Sequence, residues 1–415
     1  MTESAYYPRF ATSALTEALG DSPVVLIHGP RQCGKTTLAR EVGTRLDYHY
    51  LTFDNDATRA AAEADPVGFV DGLPERAILD EVQRVPALFT SLKVTIDRDR
   101  RPGRFLLTGS ANVLLVPRLA DSLAGRMAIL RLHPLAQCEL QRKASTFLDR
   151  LFAGNFPTRV LPRLKDELPA RIAAGGYPAA LARPEGRRRA GWYRDYIDTL
   201  IQRDVRDLAR ISALDALPRL LRMAASRTAQ LFNLSDLAAP FQLSRPTIGD
   251  YVSLLEHIFL LERLPPWHSN RTSRLVKTPK LHLGDTGLAC GLLGLDTAAL
   301  VADRAQMGPL LETFVFQELR RQASWHGQDH AFFHFRDKDM AEVDIVIERG
   351  ARTLAGVEVK SAASITSADF RGLRKLRDVA GKRFTAGVVL YDGDTCASFG
   401  DGLYAVPLRL LWETH

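Results

Sequence analysis

The sequence predicts an α/β protein with an α/β domain at each end and a helical region between them. Three observations predict this arrangement. An apolar strand, a glycine-rich loop and a helix follow one another within residues 24–42, amphipathic helical patterns fill residues 136–215, and alternating strand patterns return after residue 331. Since domains have roughly 100 to 200 residues, the chain of 415 residues has room for two or three of them. We place the segment boundaries at 1–135, 136–215, 216–300 and 301–415.

The composition excludes several classes of protein. Hydrophobic residues make up 46% of the chain and charged residues 25%, so each domain can bury a core and the chain is neither disordered nor fibrous. No apolar run approaches the roughly 20 residues of a membrane span, and the N-terminus lacks the regions of a signal peptide, so we expect a cytoplasmic protein without a membrane partner. The four widely spaced cysteines form no CxxC pair and predict reduced thiols. The net charge of +7 suits a polyanion such as DNA, although many proteins with this charge bind none.

The strongest local signal is the glycine-rich loop GPRQCGKTT, which follows the apolar strand at residues 24–28 and opens a helix. This GxxxxGK[ST] pattern, in this order of elements, predicts a loop whose backbone N–H groups surround the phosphates of ATP. Lys35 would reach the β and γ oxygens, and the Thr36 hydroxyl would ligate Mg²⁺. The alternative is a chance glycine turn before a helix, which this context disfavours. The candidate nucleotide-binding residues are Gly29, Pro30, Arg31, Gln32, Cys33, Gly34, Lys35, Thr36 and Thr37.

A second apolar strand, residues 77–79, ends in Asp80 and Glu81. Asp80 would hold Mg²⁺ through its water shell, and Glu81 would polarise the water that attacks the phosphate, because open α/β sheets gather their ligands at the carboxyl ends of the strands. An apolar strand that ends in two acids is common in isolation. Downstream of a phosphate-binding loop, the functional interpretation is favoured.

A third buried strand, residues 104–107, is followed by small polar residues. Ser110 and Asn112 are candidates for contacting the γ-phosphate or the attacking water, and a helix N-cap is an equally good interpretation of both. Further along, Arg126 precedes another apolar run. An arginine supplied from the same chain or a neighbouring subunit accelerates phosphoryl transfer, whereas a lone arginine is usually solvated or salt-bridged.

The middle of the chain predicts helices and then a winged helix-turn-helix. The run Arg187–Arg189 reads as a solvated loop or a phosphate contact. From residue 231, two short helices with a turn between them fit the pattern, with Ser244 as the N-cap of the second. That helix would present Arg245, Thr247 and Asp250 to a DNA groove, although the same fold also serves as a spacer between proteins. Two apolar segments, 258–264 and 279–283, would form the wing, to which a set of basic residues adds charge: Arg271, Arg274, Lys277 and Lys280.

The C-terminal segment predicts a helix, a strand and a hairpin with converging acids. Alternation along a strand places Glu358 and Lys360 on one face, and a hairpin partner brings Asp344 beside them. Asp344 and Glu358 could hold Mg²⁺ while Lys360 orients water, which is the chemistry of metal-dependent phosphodiester hydrolysis. Glu312, on the preceding helix, would complete the set. The sequence leaves open whether Glu312 or Glu318 faces this site, and Glu342 reads as a solvated neighbour of Asp344.

Taken together, these motifs resemble the AAA-type ATPases of bacteria and archaea that carry a C-terminal domain of unknown function. The matching stretches occur in family order and cover nearly the whole chain: GPRQCGKTT (29–37), FDN (53–55), LDEVQRVP (79–86), LLTGSANVLL (106–115), SLAGR (122–126), GGYP (175–178) and RDV (203–205). The C-terminal D-x13-E-x-K pattern with Glu312 resembles the PD-(D/E)XK nuclease superfamily. The first resemblance implies an ATP-binding, Mg²⁺-dependent AAA-type module, and proteins of this type commonly form homo-oligomers through the ATPase domain.

The resemblances imply an AAA-type P-loop domain, a helical and winged-helix middle, and a restriction-endonuclease-like C-terminal domain. Two functions remain open at this point. The first is an ATPase that acts on duplex or branched DNA, by remodelling, translocation or nuclease-linked processing. The second is a nucleotide-gated switch in signalling or defence that binds a protein partner and has an inactive nuclease-like scaffold.

Overall fold

The computed structural model describes residues 7–110, 123, 125–202, 216–241, 243–270 and 278–413. The chain divides into two units: Pro8–Leu135 with His257–Phe259, and Met1–Tyr7 with Ala136–Glu256 and Leu260–His415. Some residues singled out from the sequence lie outside the described residues: Asn112, Ser122, Arg203–Val205, Arg271, Arg274 and Lys277. Among the described residues, no helix is both long enough and apolar enough to cross a membrane.

The first unit contains a five-stranded parallel sheet with the order β2-β3-β4-β1-β5. Its strands are β1 (Val24–His28), β2 (His49–Thr52), β3 (Ala77–Asp80), β4 (Phe105–Gly109) and β5 (Met127–Arg131). All residues of β1, β3 and β4 are buried, as expected of central strands with helices on both faces of a parallel sheet. The described helices are α1 (Ala11–Asp21), α2 (Lys35–Arg45), α3 (Asp56–Ala64), α4 (Pro66–Asp71) and α5 (Leu88–Arg98). The predicted α/β fold with an N-terminal parallel sheet is confirmed.

The register of the sheet decides where functional groups meet. Val24 of β1 lies opposite Phe105 of β4, and Ala77 of β3 lies opposite the same residue. Because the three strands are parallel and in step, their carboxyl ends reach one edge of the sheet together. The loop after β1, the acids that end β3 and the polar residues that end β4 therefore lie at the same edge.

The second unit begins with short helices. They are α6 (Gln137–Leu140), α7 (Phe147–Ala153), α8 (Glu167–Ala174), α9 (Pro178–Leu181) and α10 (Arg187–Leu200). In α10 the Trp192 ring stacks on Tyr196 with centroids 4.9 Å apart, and Tyr177 packs against both. The sequence placed Arg187–Arg189 in a loop, whereas the structure begins α10 at Arg187 after Gly186.

Three helices and a small sheet follow in the 216–283 region. They are α11 (Ala216–Ser226), α12 (Leu234–Ala238), α13 (Arg245–His257), β7 (Gln230–Leu231), β8 (Leu261–Leu264) and β9 (Lys280–Leu283), with β9 between the other two strands in an antiparallel sheet. The Ser244 hydroxyl accepts a hydrogen bond from the N–H of Thr247 at 3.2 Å, so Ser244 caps α13 as predicted. Ile248, Val252 and Leu255 point into the core at helical spacing.

The C-terminal part is built on a seven-stranded mixed sheet with the order β10-β11-β12-β13-β15-β14-β6. The strands are β6 (Arg159–Val160), β10 (His330–Arg336), β11 (Glu342–Arg349), β12 (Thr353–Lys360), β13 (Phe384–Tyr391), β14 (Thr395–Ser398) and β15 (Leu403–Pro407), and the helices are α14 (Thr286–Leu293), α15 (Thr297–Ala302), α16 (Arg304–Ala323) and α17 (Arg371–Ala380). Strand β6 comes from the region that the sequence predicted as helical, and it pairs with β14.

Candidate functional sites

The loop after β1 has the backbone shape that close approach to phosphate groups requires. Gly29 has a φ of +157°, and a Cβ added there would lie 2.1 Å from the carbonyl oxygen of Leu132. Gly34 has a φ of +103°, in the left-handed region that favours glycine, and it precedes the first turn of α2. Both glycines of the motif are therefore required by the backbone itself.

Lys35 lies at the start of α2 and its side chain is buried within the loop. Its ammonium group donates to the carbonyl oxygens of Gly29, at 3.0 Å, and of Pro30, at 2.8 Å. Arg9 supports the loop from the other side, because its guanidinium donates to the carbonyl oxygens of Cys33 and His133, each at 2.7 Å. The sequence analysis did not find Arg9, which lies 24 residues before Cys33.

Asp80, at the end of β3, is held by three hydroxyl groups. The Thr36 hydroxyl donates to Oδ1 at 2.9 Å, and the Thr108 hydroxyl from β4 donates to the same oxygen. The Tyr50 hydroxyl from β2 donates to Oδ2 at 2.8 Å. Burial and then the hydrogen bond to Asp80 raise the pKa of Tyr50 to about 12, so this phenol remains a donor at neutral pH. Thr36 and Asp80, predicted as the Mg²⁺ ligands, thus lie in direct contact.

Glu81 follows Asp80 with a φ of +58° and a ψ of +44°, a left-handed conformation that turns its side chain away from the strand direction. Its backbone N–H donates to the Thr108 hydroxyl at 3.1 Å. Its carboxylate accepts from the Ser110 hydroxyl at 2.9 Å and from the side-chain amide of Gln83. Burial would raise the pKa of Glu81, but Lys35 and the hydrogen bond from Gln83 bring it below the ordinary value. The carboxylate is therefore ionised at neutral pH.

Arg126, the predicted arginine of phosphoryl transfer, forms a two-point ion pair within the first unit. Its Nε lies 2.7 Å from Oδ1 of Asp97 on α5, and its Nη2 lies 3.0 Å from Oδ2. The hydrogen bonds to Asp97 raise the pKa of Arg126. The role of Arg126 stays a prediction, as does that of Asn112, which lies outside the described residues.

In the second unit, three acids lie close together: Glu312, Asp344 and Glu358. We call them the carboxylate cluster, and two lysines, Lys360 and Lys280, contact it. Glu312 comes from α16, Asp344 from β11, and Glu358 and Lys360 from β12. Lys360 Nζ lies 2.8 Å from Glu358 Oε1, and the N–H of Val359 donates to Asp344 Oδ2 at 3.0 Å.

The choice between Glu312 and Glu318 is decided by the fold. Glu318 instead pairs with Arg321 at 2.9 Å and accepts from the N–H of Gln137. Glu342 pairs with the surface Arg336 at 2.8 Å and remains partly exposed, which agrees with its interpretation as a solvated neighbour.

A second lysine, Lys280 of β9, enters the carboxylate cluster from the three-stranded sheet. Its ammonium nitrogen lies 2.7 Å from Glu312 Oε1 and 3.1 Å from Asp344 Oδ1, and its side chain is 7% exposed. Burial would lower the pKa of Lys280, but the two carboxylates raise it, so the group is charged. The expectation that Lys280 adds basic character to the wing is wrong, because its ammonium group is buried and paired with two acids.

The pKa values of the three carboxylates in the cluster shift in different directions. Burial and the neighbouring Asp344 raise the pKa of Glu312 well above its ordinary value and that of Glu358 to about 8. Burial would also raise the pKa of Asp344, but Lys280 and the N–H of Val359 lower it. Among the described residues, no group of three or more His, Cys, Asp or Glu side chains is arranged to hold a metal ion. As the structure places them, the cluster residues therefore do not fit a metal ion.

Comparison with known proteins identifies the first domain. A family model described as an AAA domain matches residues 21–141, and two models described as domains of unknown function, DUF8612 and DUF4143, match residues 165–299 and 307–411. Two relatives, the uncharacterized proteins Rv2008c of Mycobacterium tuberculosis and Mb2031c of Mycobacterium bovis, are each 31% identical to the chain over 409 residues, which is 98% of this chain and 85% of each relative. The chain belongs to their family.

The chain is also similar to several solved structures, at low sequence identity and with TM-scores under 0.5. The chain resembles the Walker-type ATPase PABY2304 of Pyrococcus abyssi, with 15% identity, a TM-score of 0.42, and coverage of 70% of this chain and 99% of that one. It also resembles the ORC2 protein of Aeropyrum pernix, with 17% identity, a TM-score of 0.36 and coverage of 74% and 97%. It also resembles the RuvB Holliday junction branch migration motor of Thermotoga maritima, with 20% identity, a TM-score of 0.29, and coverage of 62% of this chain and 90% of that one. Nothing about function follows from these three likenesses.

The AAA domain match supports the predicted P-loop ATPase domain and, with it, the predicted binding and hydrolysis of ATP. The C-terminal domain is the domain of unknown function that the sequence resemblance implied. Sequence reasoning missed four contacts of these sites, those of Arg9, Tyr50, Gln83 and Lys280. Gln83 stands inside the LDEVQ motif and could have been found by its place there. The others are too far along the chain from the groups that they contact.

Proposed function

We propose that the chain is a Mg²⁺-dependent ATPase that acts on DNA. The observation that supports this most is the meeting of Lys35, Thr36, Asp80 and Glu81 at one edge of the parallel sheet. The loop from Gly29 to Thr37 would surround the phosphates of ATP, and Thr36 with Asp80 would hold Mg²⁺. Bound there, Mg²⁺ would neutralise negative charge on the phosphate oxygens.

The chain's own groups account for the remaining steps. The ammonium of Lys35 would exchange the carbonyl oxygens of Gly29 and Pro30 for phosphate oxygens, which carry more negative charge. The ionised carboxylate of Glu81 would accept a hydrogen bond from the attacking water and orient it. Ser110 and Gln83 already bind that carboxylate, so they would fix its direction.

DNA as the second ligand is supported by charge and by the helix α13. The chain carries a net charge of +7, and Arg245 and Asp250 are exposed on α13, with Thr247 partly exposed between them. Two helices joined by a turn and followed by antiparallel strands are the elements of a winged helix, whose second helix often enters the major groove. The ATP cycle would then move or remodel duplex or branched DNA, or control access to the C-terminal domain.

ATP hydrolysis by the purified protein in Mg²⁺, with and without DNA, tests this proposal. We expect DNA to stimulate turnover and Lys35→Ala to abolish it in both conditions. Stimulation should be matched by binding of duplex, branched or single-stranded DNA in gel shifts at several salt concentrations. Turnover that does not depend on DNA, together with no gel shift even at low salt, would contradict the DNA part of the proposal while leaving the ATPase intact.

We further propose that the ATPase works as a homo-oligomer, with Arg126 supplied to the site of a neighbouring copy. The contact with Asp97 at 2.7 Å holds the side chain in a fixed direction, which would favour such a role. Arg126→Ala should then abolish turnover and spare ATP binding. Arg100→Ala is the matched control, because Arg100 pairs with the same Asp97 at 3.2 Å. Normal hydrolysis by Arg126→Ala would show that the assignment is wrong.

The position of Lys280 favours a second candidate function, a nucleotide-gated switch with an inactive nuclease-like scaffold. In this alternative, the second unit binds a protein partner and cuts nothing, because an ammonium group lies where a catalytic metal would be needed. A pull-down should then recover one stoichiometric partner in ATP and lose it with Lys35→Ala. Metal-dependent DNA cleavage that is lost in Asp344→Ala would argue against it.

A further inference from the structure

The carboxylate cluster of the second unit already contains a cation. Lys280 Nζ lies within 3.1 Å of carboxylate oxygens from two different elements, Glu312 of α16 and Asp344 of β11. Its side chain is 7% exposed, and those of the two acids are each 14% exposed. A buried ammonium between two carboxylates replaces the positive charge that a divalent ion would bring to the same oxygens.

The remaining acid of the cluster is only half satisfied. Glu358 binds Lys360 through Oε1, whereas its Oε2 is buried and has no hydrogen-bond partner among the described residues. A buried carboxylate oxygen without a partner is costly, and such a group in a native structure calls for an explanation. The ammonium of Lys280, which contacts Glu312 and Asp344, leaves this oxygen without a cation.

The lysine and the acids belong to different sheets. Lys280 projects from β9 of the three-stranded sheet, while Asp344 and Glu358 lie on β11 and β12 of the seven-stranded sheet. The position of β9 therefore decides whether the ammonium is present. Two histidines flank the lysine, and burial and then Lys280 lower the pKa of both: that of His334 falls to about 4, and that of His282 falls well below its ordinary value. They remain neutral, so Lys280 and Lys360 are the positive charges beside these acids in the described residues.

We propose that Lys280 is the resident cation of this cluster and that it excludes divalent metal ions. Glu312, Asp344 and Glu358 form a site for a hard divalent cation, such as Mg²⁺ or Mn²⁺, only when the ammonium is absent. The wild-type cluster is then held in a metal-free state by a side chain of the chain itself. This inference goes beyond the proposed ATPase and does not depend on it.

The proposal is tested by measuring Mn²⁺ binding to the full-length, nucleotide-free protein. The concentration of free Mn²⁺ is read from its electron paramagnetic resonance signal. All forms carry Asp80→Asn, so that the nucleotide site does not contribute. We expect no Mn²⁺ at the cluster in the form with Lys280, and at least tenfold tighter binding of one Mn²⁺ in Lys280→Met. Adding Asp344→Asn to Lys280→Met should abolish the new site. Lys375→Met is the matched control, because Lys375 also contacts two aspartates, Asp337 and Asp339, but at the surface.

Removal of one buried charge can prevent folding, so a second variant is needed. Lys280→Met combined with Glu312→Gln removes the ammonium together with one of its two carboxylate partners and keeps an oxygen at position 312. We expect this variant to fold, to bind Mn²⁺ and to rise in melting temperature when Mn²⁺ is added. Mn²⁺ binding in the form with Lys280 that is lost with Asp344→Asn would overturn the proposal. So would a folded variant without Lys280 that binds no Mn²⁺.

Discussion

At the scale of single residues, the orientation of Asp80 depends on hydroxyl groups from three separate segments of the chain. Thr36 is part of the nucleotide loop, but Tyr50 and Thr108 come from the two strands on either side of β3. Each donates a hydrogen bond to the carboxylate. Partners of this kind fix a metal-binding carboxylate and change metal affinity or activity by roughly 10- to 100-fold when they are removed.

Tyr50→Phe should therefore weaken ATP turnover at limiting Mg²⁺. The substitution removes one donor to Asp80 and keeps the ring, so we expect a rise of roughly tenfold in the Mg²⁺ concentration needed for half-maximal activity. Steady-state ATP hydrolysis measured over a range of Mg²⁺ concentrations gives this value. Tyr48→Phe is the matched control, because the Tyr48 hydroxyl donates to the carbonyl oxygen of Gly103 and not to Asp80. Equal Mg²⁺ dependence in the two variants would refute the role of Tyr50.

We expect the stability of the first unit to depend on pH because of His28, the last residue of β1. Its side chain is buried against Phe259, with ring centroids 5.8 Å apart. Burial, and then the charges of Arg131 and Lys35, lower the pKa of His28 from 6.5 to about 4. The unfolded chain therefore takes up a proton before the folded one, so the unit loses stability as the pH falls from 6.5 to 4.

The loss from His28 should reach about 3 kcal/mol at pH 4, at about 1.4 kcal/mol per pH unit. Hydrogen exchange of the β1 and β4 amides between pH 4 and pH 7, corrected for intrinsic rates, measures the opening free energy. In His28→Phe this free energy should vary with pH by about 3 kcal/mol less than in the wild type. His49→Phe makes the same change at an exposed position of β2 and should keep the wild-type profile. An unchanged profile in His28→Phe would mean that other groups cause the pH dependence.

At the scale of elements, a buried arginine of the long helix α16 links several segments of the second unit. Arg321 binds Asp285, which caps α14, at 2.8 Å, and Glu318 at 2.9 Å. Asp285 also accepts from the N–H of Gly176 at 2.8 Å, in the loop between α8 and α9. Both carboxyl groups are fully buried and Arg321 is 3% exposed. One guanidinium thus connects three segments that are far apart in the sequence.

Arg321→Met should destabilise the second unit strongly. It leaves two buried carboxyl groups without their cation, which costs about 3 to 5 kcal/mol. Arg320→Met, next to it, removes a partly exposed pair with Glu262 and should cost no more than about 1 kcal/mol. Urea unfolding followed by tryptophan fluorescence reports on this unit alone, because Trp192, Trp267, Trp325 and Trp412 all belong to it. Similar unfolding midpoints in the two variants would contradict this account of Arg321.

The elements also show which parts of the sites were within reach of sequence reasoning. The nucleotide loop could be predicted because its residues are contiguous and its glycines are required by the backbone. Asp80 and Glu81 could be predicted because they end an apolar strand. Lys280 could not, because it lies 32 residues from Glu312 and 64 from Asp344, and only the packing of β9 brings it to them.

Strand β6 escaped prediction for a related reason. It has two residues, too few to show alternation, and it exists only because β14 offers it an edge. The strands β10, β11 and β12, with seven or eight residues each, were long enough for their pattern to be read. Long strands and contiguous motifs could thus be predicted, whereas two-residue strands and contacts between residues far apart in the sequence were missed.

At the scale of the whole molecule, the proposed action on DNA depends on charge that is spread over the chain. The excess is modest, with 55 basic and 48 acidic residues. Some of the arginines are already paired at the surface of the first unit, as Arg101 is with Asp99 and Glu75. DNA binding would then involve few phosphate contacts, so its affinity should be moderate and the slope of its salt dependence small.

Stimulation of ATP hydrolysis by DNA should therefore disappear as salt rises, while basal turnover stays constant. With about three phosphate contacts, DNA affinity falls roughly fortyfold between 50 and 200 mM monovalent salt. The DNA concentration for half-maximal stimulation, measured across this range, gives the slope. Arg245→Ala on α13 should reduce the slope by about one contact, whereas Arg352→Ala, at an exposed turn between β11 and β12, should leave it unchanged. Equal slopes in both variants would place the DNA contact away from α13, and a stimulation that salt does not affect would exclude a phosphate contact as its cause.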